Sequence, residues 1–161
     1  MSIRVFIADD HPVVRAGLRL TIERSGKDIV IVGEASDGFE VLEFAKTESA
    51  DIFILDITMP NLNGIETARM LFDRRPAAKV IMLSLHHAKA LVEESLIAGA
   101  QGYLTKEMAS QYVVEAVMEV CAGRRYFCPI VAHYAIREDL MKGKAKRKRG
   151  ELSVGLTAQE T

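Results

Sequence analysis

The chain has 161 residues, 49% of them apolar, and its 21 Lys/Arg against 22 Asp/Glu give a formal net charge of −1. That length suits one α/β domain with an appendage; the apolar residues fall in short runs, so a folded core is expected, and no run approaches the ~20 residues of a membrane span. Met-Ser-Ile-Arg leads straight into a strand pattern with no signal peptide, and Cys121 and Cys128 form neither a CxxC pair nor a metal-ligand cluster, so a reduced cytoplasmic protein is expected, with no membrane partner.

Runs rich in Ile and Val alternate with helical patterns about every 25 residues, the signature of repeated βα units. Strand 1 is Ile3–Ala8. Helix 1 starts near Pro12, a good first-turn residue, and runs to about Arg24. Strand 2 is Ile29–Glu34. Asp37 can cap helix 2, whose apolar positions Phe39, Leu42 and Ala45 are expected on one face. Strand 3, Ile52–Leu55, is apolar on both faces, as a central strand should be.

Helix 3 begins after Gly64, with Ile65, Ala68 and Phe72 at helical spacing, and Pro76 marks the loop beyond it. Strand 4 is Val80–Leu83. Helix 4 covers about 88–98, with a weak stripe of Leu91, Val92, Ser95 and Leu96, and Gly99 ends it. Strand 5 is Gly102–Leu104. Helix 5 is expected to follow a cap at Ser110, with Val113, Val117 and Val120 inward. Five βα units are complete by about Gly123, and Pro129 opens a further helical pattern, Ile130 to about Met141.

The net charge hides an asymmetry. Residues 1–136 carry 14 Lys/Arg against 18 Asp/Glu, a balance of −4, whereas residues 137–150 carry seven basic against two acidic residues, a balance of +5. The run Lys142-Gly-Lys-Ala-Lys-Arg-Lys-Arg149 reads as a solvated, disordered tether; contact with a phosphate backbone is the sharper alternative. At the end of the chain Thr157 and Glu160 form a capping box, so the sequence stops where a new helix would start, as a truncated piece would.

The strand ends carry the chemistry. Asp9-Asp10 follow strand 1, Asp56 closes strand 3, Ser84 follows strand 4 and Lys106 follows strand 5. In a parallel α/β sheet those ends converge on the ligand-binding edge. Magnesium is a hard cation bound by one or two carboxylates, waters and phosphate oxygens, and the three aspartates suit it. Without a cation they repel one another, two charges ~4 Å apart costing ~4 kcal/mol at an effective dielectric of 20. A carboxylate can also act as a nucleophile and form an aspartyl-phosphate. The metal, Lys106, the Ser84 hydroxyl and backbone N–H groups would then share the phosphoryl oxygens.

The motifs Ile7-Ala-Asp-Asp-His-Pro12, Leu55-Asp-Ile-Thr-Met-Pro60 with Gly64, Met82-Leu-Ser84 and Gly99-Ala-Gln-Gly-Tyr-Leu-Thr-Lys106 resemble the receiver domain of two-component response regulators, over about residues 3–122. The resemblance implies a flavodoxin-like, doubly wound five-stranded parallel sheet of order 2-1-3-4-5, followed by a C-terminal linker helix; receivers are themselves an example given for that order. It implies Asp56 as phosphoacceptor, with Asp10 and Asp56 binding Mg²⁺ (or Mn²⁺) directly, Asp9 mostly through water and Thr58 through its backbone carbonyl. Lys106 would pair with the phosphoryl group, Ser84 would move toward it, and Tyr103 would be the switch aromatic. His86 sits where family members vary and tune autodephosphorylation.

Helix 1, beginning His11-Pro-Val-Val-Arg-Ala-Gly-Leu18, and Leu156-Thr-Ala-Gln-Glu160 are similar to the NarL/FixJ-type subfamily, whose receivers carry a C-terminal helix-turn-helix domain. The implied layout is a receiver over 1–123, a linker helix and basic tether over 124–150, and the start of a truncated DNA-binding domain over 151–161. The implied partners are a sensor histidine kinase, a second copy on phosphorylation, and DNA only through the missing domain. One departure is Glu107 in place of the proline that many receivers carry after the lysine, so a trans peptide or another path after Lys106 is expected.

The function expected is a phosphoacceptor in transcription regulation, not an enzyme beyond its own phosphotransfer and dephosphorylation. Three rivals stand beside it. An aspartyl-phosphate hydrolase usually carries a second aspartate two residues after the nucleophile, where this chain has Thr58. A flavin-binding domain of the same topology wants a Ser/Thr/Gly-rich loop after strand 1, where this chain has Asp9-Asp10-His11-Pro12. A receiver-like module that signals without phosphate would leave the acidic set unused.

Overall fold

A computed structural model describes residues 2–134. The elements run β1 (Ile3–Ala8), α1 (Pro12–Glu23), β2 (Ile29–Ala35), α2 (Gly38–Thr47), β3 (Ile52–Asp56), α3 (Gly64–Arg74), β4 (Lys79–Ser84), α4 (Lys89–Ala98), β5 (Gly102–Thr105), α5 (Lys106–Cys121) and β6 (Tyr126–Phe127). The fold is the flavodoxin-like α/β receiver fold, an entirely parallel sheet of order β2-β1-β3-β4-β5-β6. The first five strands keep the expected order, but the sheet has six strands instead of five. Residues 126–127 carry no run long enough to show a strand period; they become a strand by pairing with β5. A helix opens at 129–134, as expected from Pro129. The expected continuation of that pattern to about Met141, the basic tether and the 151–161 segment lie outside the described residues.

Burial follows from position in the sheet. All five residues of β3 are buried, Asp56 included, because β1 and β4 flank it and helices cover both faces. Edge strand β2 keeps Val30 largely exposed. The ladder between β1 and β2 slips one residue between Val5 and Phe6, which brings Gly33 opposite Phe6; a Cβ at Gly33 would meet the Phe6 ring at 2.7 Å. Phe6 packs in turn on Phe44 and Phe53, with ring centroids 4.4 and 5.7 Å away. Among the described residues no helix is long and apolar enough to cross a membrane.

Local chemistry sets the helix starts. Asp37 caps α2, its side chain accepting from Glu40 N at 2.9 Å, and Glu40 accepts in return from Ser36 N at 2.7 Å. Asn63 caps α3 through Glu66 N at 2.9 Å. Gly99 ends α4 at φ +109°.

Two sequence expectations need correcting. On α2, Val41 joins Leu42 and Ala45 in the core, while Phe39 stays 54% exposed. Gly38, Val41, Leu42 and Ala45 make the true i, i+3, i+4, i+7 stripe, and Phe39 falls beside it. α5 starts at Lys106 with Thr105 as its N-cap, not after Ser110. Because β5 runs into α5 without a loop, Ser110 lies within the helix. The described backbone has no cis peptide bond, as the residue after Lys106 suggested.

The turn after β3 closes tightly over Asp56. Gly64 N donates to Ile57 O at 2.8 Å, and a Cβ on Gly64 would lie 2.3 Å from Asp56 O. Both neighbours are backbone atoms and cannot swing aside. Gly64→Ala is therefore expected to destabilise the protein by at least about 2 kcal/mol, read as a lower denaturant midpoint in chemical unfolding; an unchanged midpoint would show that the turn re-forms at no cost.

Candidate functional site

The carboxyl ends of β1, β3, β4 and β5 bring the sequence-predicted residues to one sheet edge. Asp9 is fully buried, with Oδ1 accepting from His11 N at 2.8 Å. Its Oδ2 lies 2.9 Å from Lys106 Nζ. Asp56, 1% exposed, accepts from Lys106 Nζ at 3.1 Å on Oδ2 and from Thr58 N at 3.1 Å on Oδ1. Asp10 is partly open, yet its Oδ1 is buried and makes no hydrogen bond. Lys106 thus bridges two buried carboxylates as the first residue of α5. Thr58 meets Asp56 through its N–H.

Ser84 and Tyr103 form a second, linked group. The Ser84 hydroxyl, buried, accepts from His86 N at 2.9 Å. Tyr103 is fully buried and its hydroxyl donates to His86 O at 2.9 Å. Burial pushes the phenol pKa up, and Ser84 works in the other direction. His86 itself is exposed, so its backbone, not its ring, joins the two buried hydroxyls.

The electrostatics follow from crowding. Burial first, then the neighbouring Asp9 charge, push Asp56 up to about 6; Lys106 and the Thr58 N–H pull the other way. Burial opposes the Lys106 ammonium, but Asp9 and Asp56 outweigh it and hold its pKa above the ordinary lysine value. A carboxylate that resists ionisation in isolation gains most from a cation brought next to it.

Sequence reasoning missed His11. Its Nδ1 lies 3.0 Å from Asp9 Oδ1, 3.1 Å from Asp10 Oδ1 and 3.2 Å from Lys106 Nζ. It occupies the N-cap position of α1 but makes no capping bond with its side chain. Histidine at a cap site that asparagine, aspartate or serine would fill was the available signal. Arg15 was missed too; its guanidinium holds the Asp9 carbonyl through Nη1 and Glu34 through Nε.

The residues fit a divalent cation. One ligand atom from each of Asp9, Asp10, His11 and Asp56 lies within 4.8 Å of the others. Asp10 Oδ1 makes no hydrogen bond, although His11 Nδ1 lies 3.1 Å away, and hard carboxylate oxygens suit magnesium or manganese. A separate cleft, about 660 Å³, opens at the N-terminal ends of β3 and β4 beside Arg74, Arg75 and Lys79. Those cations are already engaged: Arg75 bonds Ala45 O and Glu48 O, Arg74 bonds Leu42 O, and Lys79 bonds Cys121 O. Arg75 and Lys79 thereby serve carbonyls at the C-terminal ends of α2 and α5, so the acidic edge is the candidate site.

Comparison with known proteins gives the same picture. Residues 5–118 match the response regulator receiver domain. The chain is 35% identical over 151 residues to the response regulator UvrY of Escherichia coli K12, spanning 94% of this chain and 69% of UvrY. It is 36% identical over 137 residues to the transcriptional regulatory protein DegU of Brevibacillus brevis, spanning 85% of this chain and 58% of DegU. The crystal structure of a LuxR-family two-component response regulator from Aurantimonas sp. SI85-9A1 superposes with a TM-score of 0.80 at 33% identity, covering 87% of this chain and 99% of that one.

Proposed function

The chain belongs to the response regulator receiver domain family, within its NarL/LuxR branch, and from that premise we propose that Asp56 accepts a phosphoryl group and passes the signal to a DNA-binding region after residue 150. The observation that carries this reading is the Lys106 ammonium held between buried Asp9 and Asp56, at 2.9 and 3.1 Å. Nothing in fold maintenance calls for three carboxylates at one sheet edge; a site that handles phosphate and a cation does.

A sensor histidine kinase is the donor in this reading. Asp56 Oδ attacks the phosphorus of a phosphohistidine; the new P–O bond forms as the P–N bond breaks, and the imidazole leaves with the electron pair. Asp10 and Asp56, with Asp9 behind them and the Thr58 carbonyl, would hold Mg²⁺ (or Mn²⁺), which supplies charge neutralisation at the phosphoryl oxygens. Lys106 follows the phosphoryl group as its fixed counter-charge. The Ser84 hydroxyl turns from His86 N to donate to a phosphoryl oxygen. Tyr103, tied to His86 O, reports that movement to the surface beside α4 and β5. Receivers are in general not enzymes in the ordinary sense; turnover here is limited to the protein's own phosphotransfer and dephosphorylation. Phosphorylation favours pairing with a second copy, and DNA contact comes through the C-terminal region alone.

Intact mass after incubation with acetyl phosphate and Mg²⁺ tests the assignment. The wild type is expected to gain one phosphoryl group and Asp56→Asn none. Equal labelling of the variant would place the phosphoacceptor elsewhere, and no labelling of either, with no effect of beryllofluoride on the wild type, would favour signalling without phosphate.

A further inference from the structure

Strand β6 stands on the far side of β5 from the acidic pocket. The order β3-β4-β5-β6 puts β5, which runs directly into Lys106, between Asp56 and the added strand. Gly102 pairs with Tyr126 and Tyr103 with Phe127. Tyr126 N donates to Gln101 O at 2.9 Å and Cys128 N to Tyr103 O at 3.1 Å. Cys128 Sγ lies 4.0 Å from Thr105 Oγ1. Beyond it, Cys128 and Val131 are fully buried. β5 is therefore held from two sides. Its pocket side is tied through Tyr103 to His86 and through Lys106 to Asp56, and its outer side is tied to the segment that leads out of the domain.

The attachment of that segment is small. β6 has two residues, both half-buried, and its backbone joins the sheet only at an edge. Segments held by a few edge hydrogen bonds and few buried side chains open at much lower free energy than the core. A shift of β5 by a fraction of an ångström is felt at once by bonds already near 3 Å.

Resting on the reading of Asp56 as phosphoacceptor, we propose that residues 126–131 form a latch on the outer edge of β5 that phosphorylation at Asp56 releases. A phosphoryl group on Asp56 enters between that carboxylate and the Lys106 ammonium, now 3.1 Å apart, so the ammonium is displaced while the Ser84 hydroxyl turns toward the new group. Lys106 follows Thr105 without a loop, so the end of β5 shifts with it and its pairing with β6 is strained. The Cys128 N–H to Tyr103 carbonyl bond and the Cys128–Thr105 contact weaken together. Release uncovers Cys128 and frees the start of the C-terminal region from the sheet. Coupling of this kind is reciprocal: whatever factor phosphorylation adds to latch opening, opening the latch adds to affinity at Asp56.

The Cys128 thiol is the readout and Cys121 the internal control. The whole 161-residue chain is treated with iodoacetamide, with and without beryllofluoride and Mg²⁺, and alkylation is followed at each cysteine by mass spectrometry. A bound beryllofluoride ¹⁹F resonance, present in the wild type and absent in Asp56→Asn, reports the phosphoacceptor separately. With that resonance present, alkylation of Cys128 is expected to accelerate at least about fivefold, the lower end of typical allosteric coupling; Cys121 is expected to be unchanged. An unchanged or slower rate at Cys128 with beryllofluoride bound overturns the latch and leaves the phosphoacceptor standing. Absence of any bound resonance overturns both. The reverse arm uses Val131→Ala, which loosens the latch from a position remote from the pocket. It is expected to raise Cys128 alkylation in the free protein and to tighten beryllofluoride binding by at most that factor; faster alkylation with weaker beryllofluoride binding overturns the coupling.

Discussion

In divalent-free buffer at neutral pH, Asp56→Asn is expected to be more stable than the wild type by about 1–3 kcal/mol. Folding moves Asp56 from an ordinary value near 3.8 up to about 6, through burial and the Asp9 charge. The folded state therefore holds its proton more tightly than the unfolded chain. The stability this contributes is fully present below about 3.8 and is lost as pH rises through about 6. The rise of roughly two pKa units corresponds to about 3 kcal/mol lost by pH 7. Asparagine keeps the Thr58 N–H acceptor and removes the charge, so the variant escapes that loss. Urea unfolding across pH 4 to 8 reads it: the two proteins converge toward pH 4, the gap opens as pH rises to about 6, and it stays constant above that. Magnesium should narrow the gap by binding the wild type more strongly. A variant less stable than the wild type at neutral pH would mean that the Lys106 pairing outweighs the carboxylate crowding.

Lys106→Met is expected to act in the opposite direction and more strongly. The side chain, 7% exposed, is the cation between two buried carboxylates. Removing one partner of a buried ion pair typically costs about 3–5 kcal/mol, because the remaining charge is left unpaired. Here two carboxylates remain, so the loss at neutral pH is expected at the upper end of that range. It should shrink toward pH 5, where Asp56 takes up its proton, since without Lys106 the carboxyl is pushed still further up. Asp56→Asn placed on Lys106→Met should restore much of the stability, and the double-mutant cycle measures the pairing itself. If Lys106→Met unfolds at the wild-type midpoint, the buried bridge contributes nothing net.

Both predictions turn on Asp56 being held in the sheet, and that much was legible in the residues. Strand ends showed as breaks in apolar runs, and each break carried a polar residue suited to phosphate or a cation. Asp37 and Asn63 were read or readable as caps because a cap bonds only two or three residues onward. Gly64 marked the start of helix 3, but its close approach to the Asp56 carbonyl came only from the structure. The order of the first five strands followed from the resemblance carried by those same motifs.

What escaped the sequence lies in contacts between residues far apart along the chain. Tyr126-Phe127 is too short to show a period, and it is a strand only because Gly102-Tyr103 offers an open edge. Phe39 looked like a core residue until the choice of helix face, made by packing α2 against the sheet, put Val41 there instead. His11 was read only as the opening of helix 1; its contacts with Asp9 and Asp10 are local, but its approach to Lys106, 95 positions later, depends on the fold. The pKa of Asp56 belongs to the same class, since it depends on burial under β1 and β4 and on the separation from Asp9. Periodicity, caps and turns are encoded within a few residues, so the sequence by itself determined the βα alternation and the identity of the acidic edge. Edge pairing, ring placement and proton affinity are set by through-space neighbours, so only the tertiary structure decided the sixth strand, the fourth member of the acidic cluster and the charge state of the site.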